Sequence, residues 1–349
     1  MHIDELDTPV AVVDLDRLEA NITRFQNYLG EHGIANRPHI KTHKIPAIAQ
    51  MQLAAGAVGI TCQKIGEAEV MAAAGITDIF LPYNIIGAAK LERLAALAQT
   101  TQLSLTADSA YVVQGLGQVL QAAQLEIPVL VECDTGLGRC GVQTPAAAAE
   151  LALLIAGTPG LRFGGLMTYP SSPATGPFMR AAISRIQTAG LPVERVSGGG
   201  TPGMWHAHMY PEVTEHRAGM YIYGDRYTMN AGAISLEQCA FSVITTVVSR
   251  PTAERGILDG GSKTFSSDLL GLEDYGLLPD YPEARLYSLS EEHGTVDFSA
   301  CTRRPAIGDR VRVIPNHCCV VTNLFNEIVG IRDGAVEVIW PVAARGALR

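Results

Sequence analysis

Aromatic side chains are scarce in this 349-residue chain, at 6% with only two tryptophans, and charged residues reach just 17%. With 47% hydrophobic residues, that scarcity of charge excludes a self-repelling disordered chain and leaves ample material for a large core. Positive charge is shorter still: 26 lysines and arginines face 35 carboxylates, for a net charge of −9 and a pI near 5.5. A surface built to neutralise nucleic-acid phosphates is therefore not expected. No apolar run reaches membrane-spanning length, and the polar opening Met1-His2-Ile3-Asp4-Glu5 is unlike a signal peptide. The expected setting is cytoplasmic, with no membrane partner.

A disulfide framework is missing too. The seven cysteines (Cys62, Cys133, Cys140, Cys239, Cys301, Cys318, Cys319) are odd in number and scattered, which suits small buried hydrophobes. Only Cys318-Cys319, beside His317, stands apart.

What the chain has is alternation. Short apolar runs at 37–40, 58–61, 78–81, 102–105, 128–133, 161–168, 194–197 and 218–223 are separated by alanine-rich stretches with helical spacing. Gly66 to Gly75 reads as a helix closed by a glycine C-cap, and Pro145 opens another helix at its first turn. Eight such units predict an α/β fold with a (β/α)8 barrel of the TIM type, an open doubly wound sheet being the alternative. After about residue 235 the texture changes to β-rich runs such as Phe241 to Val248 and Val311 to Pro315. The expected organisation is a barrel over 15–235 and a C-terminal β-rich domain over 236–349, joined by residues 1–14.

Three motifs carry chemistry. Arg37-Pro38-His39-Ile40-Lys41-Thr42-His43-Lys44 ends an early strand with a lysine, where barrel enzymes keep their reactive groups. Partial burial and cationic neighbours there can lower an amine's pKa enough to make it a Schiff-base nucleophile. Ser197-Gly198-Gly199-Gly200-Thr201 closes a late strand with glycines and a hydroxyl, a setting suited to a phosphate. His317-Cys318-Cys319 places an imidazole and a thiol at i and i+2, which leave one face if the segment is extended, and this pair suits Zn²⁺. By contrast, Asp259 before Gly260-Gly261 reads as a tight turn, and His206 and His208 as surface loop residues.

These motifs occur in a familiar order. With Asp7-Thr8-Pro9, Gly59 to Lys64, Gly136-Leu137-Gly138-Arg139-Cys140-Gly141 and Glu292-His293-Gly294, they resemble the fold-type III, alanine-racemase-like pyridoxal-phosphate (PLP) enzymes. The likeness is to the D-threonine aldolase and D-serine dehydratase branch and covers nearly the whole chain. It implies that Lys41 carries PLP and handles the α-proton, and that Arg139 holds the cofactor ring. Gln63, Tyr169 and Tyr223 follow strands and are further candidate cofactor contacts, beside Gly198, Gly199, Gly200 and Thr201 at the phosphate. His317 and Cys319 become ligands of a divalent metal, with His293 beside it as a relay or base.

The resemblance leaves the reaction divided. Aldolases of this type carry His-x-Asp at the metal, a harder site for Mn²⁺ or Mg²⁺, whereas His-x-Cys is similar to the zinc-dependent D-serine dehydratases. The tail Trp340 to Gly346 is nearer the aldolases, while Pro170 stands where they show a histidine. The implied activity is a PLP- and metal-dependent lyase of β-hydroxy-D-amino acids, with D-threonine-aldolase-type cleavage ahead of D-serine-dehydratase-type elimination. An amino-acid racemase and a non-catalytic PLP carrier are more distant alternatives. In this fold type a homodimer is expected.

Overall fold

After an opening strand β1 (Val10–Asp14), the alternation is realised as eight short parallel strands. They are β2 (Ala35–Asn36), β3 (Ile60–Thr61), β4 (Asp78–Leu81), β5 (Gln102–Ala107), β6 (Ile127–Cys133), β7 (Leu161–Thr168), β8 (Val196–Gly199) and β9 (Glu215–Arg217). This computed structural model describes residues 1–349. The sheet runs β2-β9-β8-β7-β6-β5-β4-β3, and a bridge between His39 and Thr61 joins its two ends. The Thr61 N–H donates to the Pro38 carbonyl at 2.8 Å and the Val58 N–H to that of Asn36 at 2.9 Å, so the barrel closes.

Local chemistry explains the units. Helix Pro145–Ala156 starts where the Thr144 side chain accepts from the Ala147 N–H at 3.1 Å, with proline at its first position. Two expectations shift. The strand placed at 37–40 is found at Ala35–Asn36, and Ile40–Thr42 is a 3-10 turn. The last strand is Glu215–Arg217 rather than 218–223, where Met220–Ile222 forms another 3-10 turn. A buried apolar run does not by itself distinguish a strand from a packed turn.

Two compact units result. The barrel unit comprises Phe25–Lys41, Pro46–Gly219 and Ala347–Arg349. Its strands and helices enclose one large apolar cluster, while inside the barrel Phe80, Leu130 and Met167 form a small layer of their own. Against that layer lie arginines: the guanidinium carbons of Arg195 and Arg217 are 4.9 and 5.6 Å from the Phe80 ring centre.

The second unit comprises Met1–Arg24, Thr42–Ile45 and Met220–Gly346. Its further strands are β10 (Phe241–Ser249), β11 (Arg255–Leu258), β12 (Gly276–Leu277), β13 (Arg285–Leu289), β14 (Gly294–Asp297), β15 (Arg310–Pro315), β16 (Glu327–Arg332) and β17 (Ala335–Pro341). They order as β13-β14-β11-β10-β1-β16-β17, and β15 pairs with both β10 and β12. β1 pairs antiparallel with β10 and parallel with β16, so the N-terminal strand is central here. Residues 42–45 are tied in through Lys44, whose carbonyl accepts from the Ala344 N–H at 3.1 Å. Residues 220–235 cluster with this second unit, where the Tyr223 carbonyl accepts from the Ala240 N–H at 2.7 Å and leads into β10. No helix is long and apolar enough to cross a membrane.

Candidate active site

At the C-terminal end of the barrel strands, Lys41 and Arg139 approach the same aromatic ring. The Lys41 Nζ lies 5.7 Å, and the Arg139 guanidinium carbon 5.3 Å, from the centre of the Tyr169 ring. Lys41 sits in the turn after β2, its N–H donating to His39 Nδ1 at 3.3 Å. His39 Nε2 in turn lies 3.0 Å from Gln63 Oε1, so the ring donates to that amide oxygen. The structure thus gathers Lys41, Gln63, Arg139 and Tyr169, four residues expected from sequence, in one unit. Asp134 does not compete for Arg139: its carboxylate accepts from the N–H groups of Gly136, Leu137 and Gly138, which hold it below its ordinary pKa.

The glycine motif is built differently from the expectation. Gly198 and Gly199 are strand residues, paired with His216 and Arg217. The Gly199 N–H donates to Ser171 Oγ at 3.0 Å and the Gly200 N–H to the Arg217 carbonyl at 2.9 Å, so these two donors are already engaged. A Cβ on Gly199 would run into that Arg217 carbonyl, and Gly200 has φ +118°, where side chains are strained. The glycines therefore shape the turn, and His216 Nε2 donates to the Gly200 carbonyl at 3.3 Å to hold it. Thr201 follows, only 2% exposed, while the motif's other hydroxyl, on Ser197, is engaged by Glu215 and Arg217. A reactive amine, a permanent cation beside an aromatic ring and a threonine past a glycine turn are donors that fit PLP.

Sequence reading missed several residues of this barrel interior. Arg217 donates to the Ser197 hydroxyl and, at 2.9 Å, to the Thr168 carbonyl just before Tyr169. Burial brings its pKa down to about 10 against the pull of Glu215 and Glu132. Glu132, 5% exposed, is pushed up to about 7 by burial and by Asp108, with Arg139 and Arg217 opposing. For Glu132 the sequence signal was available, a charge within an otherwise apolar strand, whereas Arg217 ends the wholly polar strand Glu215–Arg217.

The second unit holds the metal candidates. The segment expected to be extended is so only at His317, the N-cap of helix Cys318–Leu324. Nevertheless the His317 ring and the Cys319 thiol are within hydrogen-bonding reach. His317 Nδ1 donates to Asp268 Oδ2 at 2.9 Å, which leaves Nε2 for a ligand role. Hydrogen bonding from Cys318 first, then His317 and the Thr42 hydroxyl at 3.2 Å, holds the Cys319 thiol well below its ordinary pKa. For His317, burial is outweighed by Cys319 and Asp268, and its pKa rises to about 9. A thiolate with an oriented imidazole fits Zn²⁺, and no third His, Cys, Asp or Glu completes a closed metal group. Asp268 has no local motif that could have revealed it.

The remaining candidates separate. Tyr223 lies beyond the last barrel strand, in the second unit, fully buried and stacked on Phe241 at 5.1 Å with its hydroxyl unpartnered. A bound oxyanion would satisfy such a hydroxyl. His293 is exposed at the turn between β13 and β14, its carbonyl accepting from the Ser290 N–H at 3.0 Å. His206 and His208 are exposed, and Asp259 clamps the Thr8 hydroxyl and the Thr246 N–H.

Comparison with known proteins shows the family. The model of the alanine racemase N-terminal domain matches residues 13–227, and that of a putative serine dehydratase domain matches 240–331. The chain belongs to the alanine-racemase-like, fold-type III family of PLP enzymes. It is 36% identical to a D-threonine aldolase from an Arthrobacter species, over 99% of this chain and 94% of that protein. It is 33% identical to D-threo-3-hydroxyaspartate dehydratase from a Delftia species, over 95% and 96%. The crystal structure of D-threonine aldolase from Filomicrobium marinum superposes with a TM-score of 0.91 at 31% identity, covering 99% and 97%.

Proposed function

We propose that this family member is a PLP-dependent lyase of β-hydroxy-D-amino acids that cleaves D-threonine-type substrates to glycine and an aldehyde. The observation that carries the reading is the convergence of the Lys41 amine and the Arg139 cation on the Tyr169 ring, at the end of the barrel where such chemistry is placed. When bound, PLP supplies an electron sink for the pair released at Cα. Lys41 would carry the cofactor and move the proton at Cα, and Arg139 and Thr201 would help to hold its ring and its phosphate. His317 and Cys319 would hold a divalent metal, Zn²⁺ by their softness, which would supply a Lewis acid able to polarise a hydroxyl. As in other enzymes of this fold type, a homodimer is the expected assembly.

Cys319 favours a second reading. A thiolate ligand matches the dehydratase-type site, in which the same residues serve loss of the β-hydroxyl. A product assay on purified protein separates the two. Glycine and acetaldehyde from D-threonine support cleavage, whereas ammonia with 2-oxobutanoate from D-threonine, or pyruvate from D-serine, supports elimination. Racemisation alone, unaffected by EDTA, would overturn both.

A further inference from the structure

The opposite end of the barrel carries a separate constellation. At the N-terminal ends of β4 to β8 lies a cavity of about 350 Å³, lined among others by Arg37, Asp78, Ser104, Arg162, Glu194 and Arg195. Two of its arginines are well matched. Arg162 pairs with Glu194 at 2.6 Å, and Arg37 pairs with Asp78 and, through Nε at 2.7 Å, with Glu215.

Arg195 is not so served. Its one ion pair is a 3.3 Å contact to the same Glu215 oxygen that Arg37 already holds, while the other Glu215 oxygen accepts from Ser197. A guanidinium has five N–H donors, so most of those on Arg195 have no protein acceptor. In the lining of the same cavity Ser104 is 6% exposed, and its hydroxyl has no hydrogen-bond partner. The unmade hydrogen bond of a buried group such as this hydroxyl is costly, and a ligand that completes it recovers that cost, while the Arg195 side chain, 19% exposed, remains open to such a ligand. Burial, together with the neighbouring Arg37 and despite Glu215, leaves Arg195 less basic than usual, as expected of a cation short of negative charge.

We propose that this cavity binds a small oxyanion, held by the Arg195 guanidinium and the Ser104 hydroxyl. Two guanidiniums sharing one carboxylate oxygen leave room for a second acceptor, and a planar fork beside a hydroxyl is suited to an oxyanion of phosphate size. Arg162 is the cation at the mouth. The site is remote from Lys41 and Thr201 by its place at the other strand ends, and it does not depend on which lyase reaction the enzyme performs.

The test is calorimetric titration of inorganic phosphate into PLP-loaded enzyme at constant ionic strength, balanced with chloride, so that the cofactor's own phosphate site is filled. Wild type is expected to show saturable one-site binding, weakened at least tenfold in Arg195→Gln and in Ser104→Val. Ser104→Val retains every charge and keeps the test decisive should Arg195→Gln fail to fold. Absence of saturable binding, or equal affinity in wild type and Ser104→Val, would overturn the proposal.

Discussion

Asp268 Oδ2 stands 2.9 Å from His317 Nδ1, and this contact fixes which ring nitrogen can meet a metal. Outer carboxylates of this kind raise the basicity of a histidine ligand and lock its orientation. Asp268→Ala is expected to weaken zinc binding by about 10- to 100-fold. Metal content after dialysis against graded chelator reads this directly, and unchanged zinc retention would remove Asp268 from the site.

Replacing the thiolate should change the preferred ion. Cys319→Asp converts a soft donor into a hard one, so zinc occupancy should fall and Mn²⁺ or Mg²⁺ should become the better activator. Activity of metal-stripped protein after re-addition of each ion decides the matter; an unaltered preference for zinc would count against Cys319 as a ligand.

Lys41→Ala is expected to abolish covalent attachment of PLP and lower turnover by on the order of a thousandfold or more. Borohydride reduction followed by mass analysis of peptides should find the cofactor on Lys41 in wild type and on no lysine in the variant. Labelling elsewhere in wild type would dismiss the assignment.

The pH dependence of stability should carry a signature of Glu132. Its folded pKa, about 7, exceeds the ordinary 4.5, so the folded state retains a proton that the unfolded chain releases. The associated stability is therefore complete below about pH 4.5 and lost as pH rises through 7, on the order of 3 kcal/mol in all. Glu132→Gln should flatten this slope and exceed wild type in urea midpoint at pH 8, with little difference at pH 5. Parallel pH profiles for the two proteins would show that Glu132 is not the group responsible.

Gly199→Ala tests the turn. The added Cβ would strike the Arg217 carbonyl and separate two paired strands, so a loss of roughly 3 kcal/mol is expected with weaker PLP retention. A variant with wild-type melting and cofactor content would mean that the strands yield easily there.

Much of the barrel could be read in advance because its period is written in residue type: Asp78–Leu81 and Leu161–Thr168 are strands where the pattern placed them. The pattern failed at Ala218–Tyr223, where apolar residues line a buried turn, since burial does not encode hydrogen-bonding geometry. Lys41, Arg139 and Tyr169 could be named from their motifs, but not their common ring. Arg217 and Asp268 were hidden for another reason: each acts through partners far away in the chain, as Asp268 does through His317. Likewise, the glycines announced a tight turn without revealing that the Gly199 and Gly200 N–H groups were already engaged.

The barrel is a ring with one weak joint. Between β2 and β3, each two residues long, closure depends on the bridge from His39 to Thr61 and a few hydrogen bonds around it. Short, sparsely bonded junctions are where local opening starts. Lys41 is only two residues beyond His39, so a cofactor attached there would act as a clasp on the ring's thinnest link. Amide exchange at Thr61 should then slow sharply on loading, making this seam a gauge of occupancy.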